Sequence, residues 1–155
     1  MIQMRHAGVY VRDLLRMQTF YREVFHMHVI CDREELKNEL RGVLTGTPDA
    51  RILITKLITP QGKVSGYGDM VELLEVRSLT ENKSSDDADH PTIPCNSITA
   101  AGTIHLCFAV DDLTETLSVL ETYGGRILIP ATVLDNGRSC AFAADPEGNI
   151  LEIIE

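Results

Sequence analysis

The stretch HAGVYVRDL at residues 6–14 recurs as HLCFAVDDL at residues 105–113, and GDMVELLE at residues 68–75 recurs as GNILEIIE at residues 148–155. Each half of the chain therefore offers one His at the start of an apolar run and one Glu inside another. Because the two segments keep the same order in both halves, we infer that the fold is built from two copies of one supersecondary unit.

The local patterns around these segments predict an alternation of strands and one helix in the first half. The predicted elements are a strand over 4–11, a helix from Leu14 to about Phe25 capped by Asp13, and strand-like runs over 29–31, 40–45, 52–58 and 70–76. The core order is β-α-β-β-β, and the 29–31 run carries the weakest signal.

The second half repeats this plan after a polar interruption. Residues 79–102 lack apolar periodicity and are predicted to link a first module at 1–78 to a second module at 103–155. The predicted elements of the second module are a strand over 103–110, a helix opened by Asp112 and ended by Gly124-Gly125, and strands near 126–129, 132–134, 140–144 and 150–154. Asp135-Asn136-Gly137 predicts a hairpin, and Asp145-Pro146-Glu147-Gly148 predicts a turn.

The composition argues against several classes of function. A formal net charge of −9 disfavours nucleic acid and anionic membranes as partners. There is no run of roughly 18 apolar residues that could span a membrane, and the first residues lack the apolar segment of a signal peptide. The four cysteines are widely spaced, which favours reduced thiols over a disulfide framework or a zinc knuckle. We therefore expect a cytoplasmic protein that binds a small molecule.

The His and Glu residues of the repeat predict a metal site. Side chains alternate along a strand, and the residue two positions after His6 or His105 is small, which leaves room beside each imidazole. Glu72 and Glu152 lie in apolar strands, where an unpaired carboxylate costs several kcal/mol unless a cation meets it. Taken singly, such a His or Glu is more often a solvated residue. The repeat superposes His on His and Glu on Glu, and this favours the joint interpretation as ligands of a divalent ion.

Two basic residues are candidates for contact with the substrate. Lys56 is predicted to share a strand face with three Ile residues and could meet a carboxylate or phosphate, although an edge-strand Lys that prevents aggregation explains it equally well. Arg12 follows the first strand, where a solvated turn residue is the more ordinary interpretation. The other three histidines, His26, His28 and His90, are expected to be solvated or uninvolved.

Both halves resemble modules of the vicinal oxygen chelate superfamily, which includes glyoxalase I, methylmalonyl-CoA epimerase, extradiol dioxygenases and the bleomycin and fosfomycin resistance proteins. The resemblance is carried by residues 6–27, by residues 105–125 and by the ending FAADPEGNILE at 142–152. Its most specific part is the pattern Asp-Pro-x-Gly-Asn-x-x-Glu. The resemblance implies an α+β fold of two βαβββ modules that form a curved mixed sheet around a metal cavity.

The resemblance also assigns the metal ligands, on the first and last strands of each module, as His6, Glu72, His105 and Glu152. The dioxygenases resemble a three-ligand pattern of two His and one Glu, whereas glyoxalase I and the epimerase have a fourth ligand that closes the first module. Glu72 fills that fourth position, so the chain is more similar to the isomerase branch. One departure is that the sequence shows no obvious cluster of Arg and Lys for a glutathione or CoA moiety.

The interpretation that follows is a metal-dependent lyase or isomerase of the glyoxalase I or epimerase type. It would act through a metal-bound enediolate or enolate, with Glu152 or Glu72 moving the proton. The cofactor would be one divalent ion, Ni, Co, Zn, Mn or Fe. Nitrogen and oxygen ligands bind all of these metals, so the ligand type does not identify the ion. An Fe(II) extradiol-type dioxygenase using His6, His105 and Glu152 is an alternative, as is a non-catalytic drug-binding protein. A homodimer is expected, and the sequence leaves open whether one chain or two chains close the cavity.

Overall fold

The computed structural model describes residues 4–36, 40–46, 50–66, 68–77 and 98–155. By its internal contacts the chain divides into two compact units, Met1–Arg22 with His26–Asp87, and Glu23–Phe25 with Ala88–Glu155. In the first half the elements are β1 (Ala7–Val11), α1 (Leu14–Phe25), β2 (His28–Glu35), α2 (Leu40–Thr45), β3 (Arg51–Ile58), α3 (Pro60–Ser65) and β4 (Met70–Arg77). In the second half they are β5 (His105–Ala109), α4 (Leu113–Thr122), β6 (Arg126–Val133), β7 (Ser139–Ala144) and β8 (Ile150–Ile154).

Each half forms a four-stranded mixed sheet on the same plan. The strand order is β1-β4-β3-β2 in the first sheet and β5-β8-β7-β6 in the second. In each sheet the first strand runs parallel to the last strand, and the other pairs are antiparallel. The prediction of an α+β fold with two mixed sheets built on one repeated plan is confirmed.

The pairing of first and last strands brings the two repeated segments side by side. Gly8 on β1 stands opposite Glu72 on β4, and Cys107 on β5 stands opposite Glu152 on β8. The register is therefore the same in both sheets. It places the His two residues before Gly8 or Cys107 on the same face as the Glu of the neighbouring strand.

The stretch over residues 40–45 is helix α2, so the prediction of a strand there was wrong. Its apolar residues Leu40, Val43 and Leu44 are spaced three and four apart, which is the helical period, and the strand interpretation overlooked that spacing. The first sheet takes its fourth strand from β2 instead. There the weakly predicted 29–31 run extends over His28–Glu35.

Helix α3 was missed by the sequence analysis, although its ends carry recognisable signals. The hydroxyl of Thr59 accepts a hydrogen bond from the backbone N–H of Gly62 at 2.9 Å, and Pro60 occupies the first helical turn. Gly66 ends the helix with a φ of 80°. A Thr-Pro start and a Gly end are typical of a short helix.

The predicted caps of the two longer helices are confirmed. Asp13 Oδ1 accepts a hydrogen bond from the backbone N–H of Arg16 at 2.9 Å, and Asp112 Oδ1 accepts one from Glu115 at 2.8 Å. The apolar stripe of α1 is buried, as its spacing predicts: Leu14, Met17, Phe20, Val24 and Phe25. No helix of the described residues is both long enough and apolar enough to cross a membrane.

A carboxylate three residues beyond each repeat Glu joins the last strand to a helix start. Glu75 Oε2 accepts a hydrogen bond from the backbone N–H of Leu14 at 3.2 Å, and Glu155 Oε2 accepts one from Leu113 at 3.4 Å. Glu75 is only 4% exposed and also receives two hydrogen bonds from Arg77. Because a helix N-terminus favours negative charge, these contacts hold β4 and β8 against the helices.

The Asp-Pro-x-Gly-Asn motif acts structurally through Asp145. Its Oδ1 accepts hydrogen bonds from the backbone N–H groups of Glu147 at 3.0 Å and Asn149 at 2.9 Å. Its Oδ2 accepts one from the Asn149 side chain at 2.8 Å. The resulting turn sets the register of β7 and β8, in which Phe142 stands opposite Glu152.

Replacing Asp145 with Ala is expected to lower the free energy of unfolding by about 2–4 kcal/mol, since three hydrogen bonds to a buried carboxylate are lost. Chemical denaturation followed by circular dichroism measures the change. Asp145→Asn is the matched comparison: it keeps an acceptor for both backbone N–H groups and loses only the bond from the Asn149 side chain, so it should lose less free energy than Asp145→Ala. Equal losses in the two variants would contradict the role given to these hydrogen bonds.

Candidate metal centre

The first His and Glu of the repeat lie in contact within the first unit. His6 Nε2 is 3.2 Å from Glu72 Oε2. The other oxygen of this carboxylate, Oε1, is 3.0 Å from Lys56 Nζ. Lys56 reaches it because β3 pairs with β4 in a register that puts Lys56 directly opposite Glu72. Both carboxylate oxygens therefore have a nitrogen partner on a neighbouring segment.

The second His and Glu are in contact in the same way, but with different neighbours. His105 Nε2 is 3.0 Å from Glu152 Oε2. The Oε1 atom of Glu152 is 3.5 Å from Cys140 Sγ, a weak hydrogen-bond donor. The residue opposite Glu152 on β7 is Phe142, whose ring packs edge-on against His105 with centroids 5.7 Å apart. An aromatic ring thus occupies the position that Lys56 has in the first sheet.

Both carboxylates are largely removed from water. The Glu72 side chain is 13% exposed and the Glu152 side chain is 21% exposed. A carboxylate in such surroundings needs positive charge or hydrogen-bond donors to offset its desolvation. Glu72 has an ammonium beside it. Among the described residues, Glu152 forms its only ion pair with His105, so it has the greater need for a cation.

The distances within each pair suit a metal ion. Two donor atoms bound to one ion at about 2.0–2.2 Å and at a right angle lie about 3.0 Å apart. The observed Nε2 to Oε2 separations of 3.2 Å and 3.0 Å are close to this value, and they also suit a shared proton. Imidazole and carboxylate are the donors that divalent first-row metals take in proteins. The chemistry of each pair therefore fits a divalent ion.

Each unit by itself supplies two such donors. Over the described ranges, no group of three or more His, Cys, Asp or Glu side chains is placed to hold one ion. A site with all four predicted ligands would have to combine His6 and Glu72 with His105 and Glu152. That combination stays a prediction.

The two thiols beside Glu152 are held in the protonated form. Burial, reinforced by the negative charge of Glu152, raises the pKa of the Cys107 thiol to about 11. Burial and the contact with Glu152 also raise the pKa of Cys140. Cys31, Cys107 and Cys140 are free thiols in the structure, and Cys95 lies outside the described residues.

Of the other residues that the sequence singles out as candidates, Lys56 contacts Glu72 of the first pair. The structure places Lys56 on β3, an inner strand, so its explanation as a guard of an exposed sheet edge was wrong. Arg12 is exposed in the bend between β1 and α1. His26 and His28 are exposed at the junction of α1 and β2, and His90 lies outside the described residues.

The structure also brings together basic residues that the sequence keeps apart. A cleft of about 600 Å³ in the first unit is lined by side chains that include Gln18 and Arg22 of α1 and Lys63 of α3. The helix α1 packs on the sheet face of Glu75, which is opposite to the face of Glu72. The cleft is therefore separate from the His6 and Glu72 pair. No sequence signal joins Arg22 to Lys63, because only the packing of α3 brings them to one cleft.

Comparison with known proteins identifies relatives over nearly the whole chain. The family model described as the Glyoxalase/Bleomycin resistance protein/Dioxygenase superfamily matches residues 3–153. Glyoxalase I from Saccharomyces cerevisiae is 29% identical over 156 residues, which cover 97% of this chain and 44% of the yeast protein. The chain thus spans less than half the length of that relative.

Solved structures share the fold at lower identity. A glyoxalase family protein from Bacillus cereus has a TM-score of 0.77 and 23% identity, covering 100% of this chain and 94% of that protein. The trypanothione-dependent glyoxalase I of Leishmania major has a TM-score of 0.60 and 18% identity, covering 100% of this chain and 87% of that enzyme. These likenesses support the arrangement of strands and helices described above.

Proposed function

The chain belongs to the Glyoxalase/Bleomycin resistance protein/Dioxygenase superfamily, and we propose that within it the protein is a metal-dependent lyase or isomerase of the glyoxalase I or epimerase type. The substrate would be a small molecule with an acidic proton beside a carbonyl group. The reaction would move that proton through an enolate or enediolate of the substrate. The likeness to the yeast glyoxalase I supports this branch of the superfamily.

The observation that carries the proposal is the matched pair of contacts, His6 with Glu72 and His105 with Glu152. We propose that these four side chains together hold one divalent ion (Ni, Co, Zn, Mn or Fe). When bound, such an ion supplies Lewis-acid polarisation of the substrate oxygens. Four protein ligands favour proton transfer over oxygen chemistry, because oxygen chemistry needs more open coordination positions.

The residues of the chain divide the remaining tasks. The Cys140 thiol lies 3.5 Å from Glu152 Oε1, and the Cys107 thiol also contacts this carboxylate. Both thiols are weak donors, so we take Oε1 of Glu152 as the more available acceptor for a substrate proton. Both oxygens of Glu72 are engaged by nitrogen atoms. Arg12 and Lys56 stay candidate contacts for a negatively charged part of the substrate, and we also propose a cytoplasmic homodimer.

One observation favours a second candidate function. Lys56 forms an ion pair with Glu72. If this pair keeps Glu72 from the metal, the available ligands are His6, His105 and Glu152, which is the two-His, one-carboxylate set of Fe(II) dioxygenases. In that case Glu72 would be a neighbouring group rather than a ligand, and the protein would consume oxygen with a catechol substrate.

The two functions are separated by one set of assays on protein purified without a His tag. After metal analysis, the metal-loaded protein is mixed in deuterated water with a thiol adduct of a 2-oxoaldehyde or with a 2-substituted acyl thioester. We expect the substrate's α-proton to exchange with solvent deuterium, as measured by NMR, and we expect no oxygen uptake. Oxygen consumption with a catechol and no exchange on either substrate would favour the dioxygenase. A protein that neither binds metal nor turns over any of these substrates would favour a binding protein.

A further inference from the structure

The two repeated carboxylates differ in one respect that the repeat does not predict. Glu72 has Lys56 Nζ at 3.0 Å, whereas the equivalent position beside Glu152 is Phe142. The equivalence follows from the registers, in which Lys56 faces Glu72 across β3 and β4 and Phe142 faces Glu152 across β7 and β8. One half of the candidate centre therefore contains its own cation.

Lys56 is placed to act on Glu72 rather than on solvent. Its side chain is 37% exposed, and it approaches a carboxylate that is 13% exposed. At such a partly buried position, an opposite charge at hydrogen-bond distance offsets much of the free-energy cost of desolvating the carboxylate. The negative charge of Glu72 is thus already balanced by the Lys56 ammonium when no metal is bound. The charge of Glu152, with an aromatic ring in place of the ammonium, is not.

We propose that Lys56 is a built-in counter-ion that competes with the metal for Glu72. This inference rests on the proposed function, since it concerns one of the four proposed ligands. A metal ion that recruits Glu72 must share or replace the Lys56 contact and must also tolerate a positive charge nearby. Glu152 has no such competitor among the described residues, so it is the carboxylate that anchors the ion. Lys56 accordingly lowers the metal affinity and stabilises the metal-free protein.

The test is a double-mutant cycle on the full chain with Co²⁺ as the probe. Affinity is measured by competition with a chromophoric chelator, and the visible absorption of Co²⁺ reports on its ligands. Lys56→Met is expected to bind Co²⁺ about tenfold or more tightly than the wild type, because a close positive charge has been removed. In the metal-free state, Lys56→Met should melt at a lower temperature than the wild type, and its stabilisation by Co²⁺ should be larger.

Two further variants make the result specific. Lys63→Met removes an exposed Lys of α3, which forms no ion pair within the described residues, and should leave the affinity unchanged. In the Glu72→Gln background, Lys56→Met should have little effect on affinity, since the contested carboxylate is gone. If Lys56→Met raises the Co²⁺ affinity equally in the wild-type and Glu72→Gln backgrounds, the inference is overturned, because Lys56 would then act on the ion through its charge and not through Glu72.

The outcomes also separate this inference from the proposed function. If the wild type binds Co²⁺ and Lys56→Met binds it with the same affinity, the inference alone fails. If the wild type, Lys56→Met and Glu72→Gln all fail to bind Co²⁺, the proposed metal centre fails, and the inference fails with it. Lys56→Arg keeps the charge and should restore wild-type affinity, which a purely structural role of the Lys stem does not require.

Discussion

Replacing His105 with Ala should weaken metal binding by about 100-fold or more, because the variant removes a nitrogen that we propose binds the ion directly, and even groups that only contact a ligand are worth 10- to 100-fold. The same loss is expected for His6→Ala. These two effects should be similar in size, since each His stands at the same place in its own half and each lies within 3.2 Å of a Glu. Metal content after dialysis, measured by atomic emission, checks the prediction.

The chain offers matched controls for the loss of a His. His26 and His28 are exposed and lie outside both pairs, so His26→Ala and His28→Ala should keep full metal content. A purification artefact or a surface site would show itself as a loss in these controls. Full metal occupancy of the His105→Ala protein would sink the proposal that both halves contribute to one ion.

The pairs themselves could be predicted because two independent regularities agree. The repeat aligns His with His and Glu with Glu, and the alternation of side chains along a strand lets His6 and Glu72 share a face in one of the two possible registers of neighbouring strands. The parallel pairing of β1 with β4 and of β5 with β8 supplies that neighbourhood. A His and a Glu that are 66 positions apart in the first half (72 − 6) and 47 apart in the second (152 − 105) are thus brought together by the plan of the module.

The partner of each carboxylate could not be predicted in the same way. Lys56 meets Glu72 only because β3 pairs with β4 in one register, and a shift by a single residue would turn its side chain to the other face. That register depends on the connection that contains α3, which the sequence analysis missed. In the second half a short turn organised by Asp145 sets the register, and there Phe142 meets the carboxylate.

The error at residues 40–45 shows the limit of short apolar runs. Six residues with three apolar side chains fit one helical turn and one short strand almost equally well, and length usually decides between them. Here the described side chains of α2 are largely exposed, as expected for a short surface helix between two strands. The buried periodicity of α1 gave the opposite case, where twelve residues defined the helix without ambiguity.

Glu152→Gln should reduce the exchange of the substrate's α-proton by about 10²–10⁴-fold while weakening substrate binding far less. The reason is that an amide oxygen can still bind a metal or accept a hydrogen bond but cannot take up the substrate proton.

Glu72→Gln is the matched comparison. Both oxygens of Glu72 are engaged by His6 and Lys56, so metal-loaded Glu72→Gln protein should exchange the proton within about tenfold of the wild-type rate. Exchange followed by NMR at saturating metal, together with calorimetric binding of an inert substrate analogue, separates the two effects. The reverse pattern, with exchange abolished in Glu72→Gln and retained in Glu152→Gln, would move the base to the first half of the chain and show that the contact with Lys56 does not keep that carboxylate from accepting a proton.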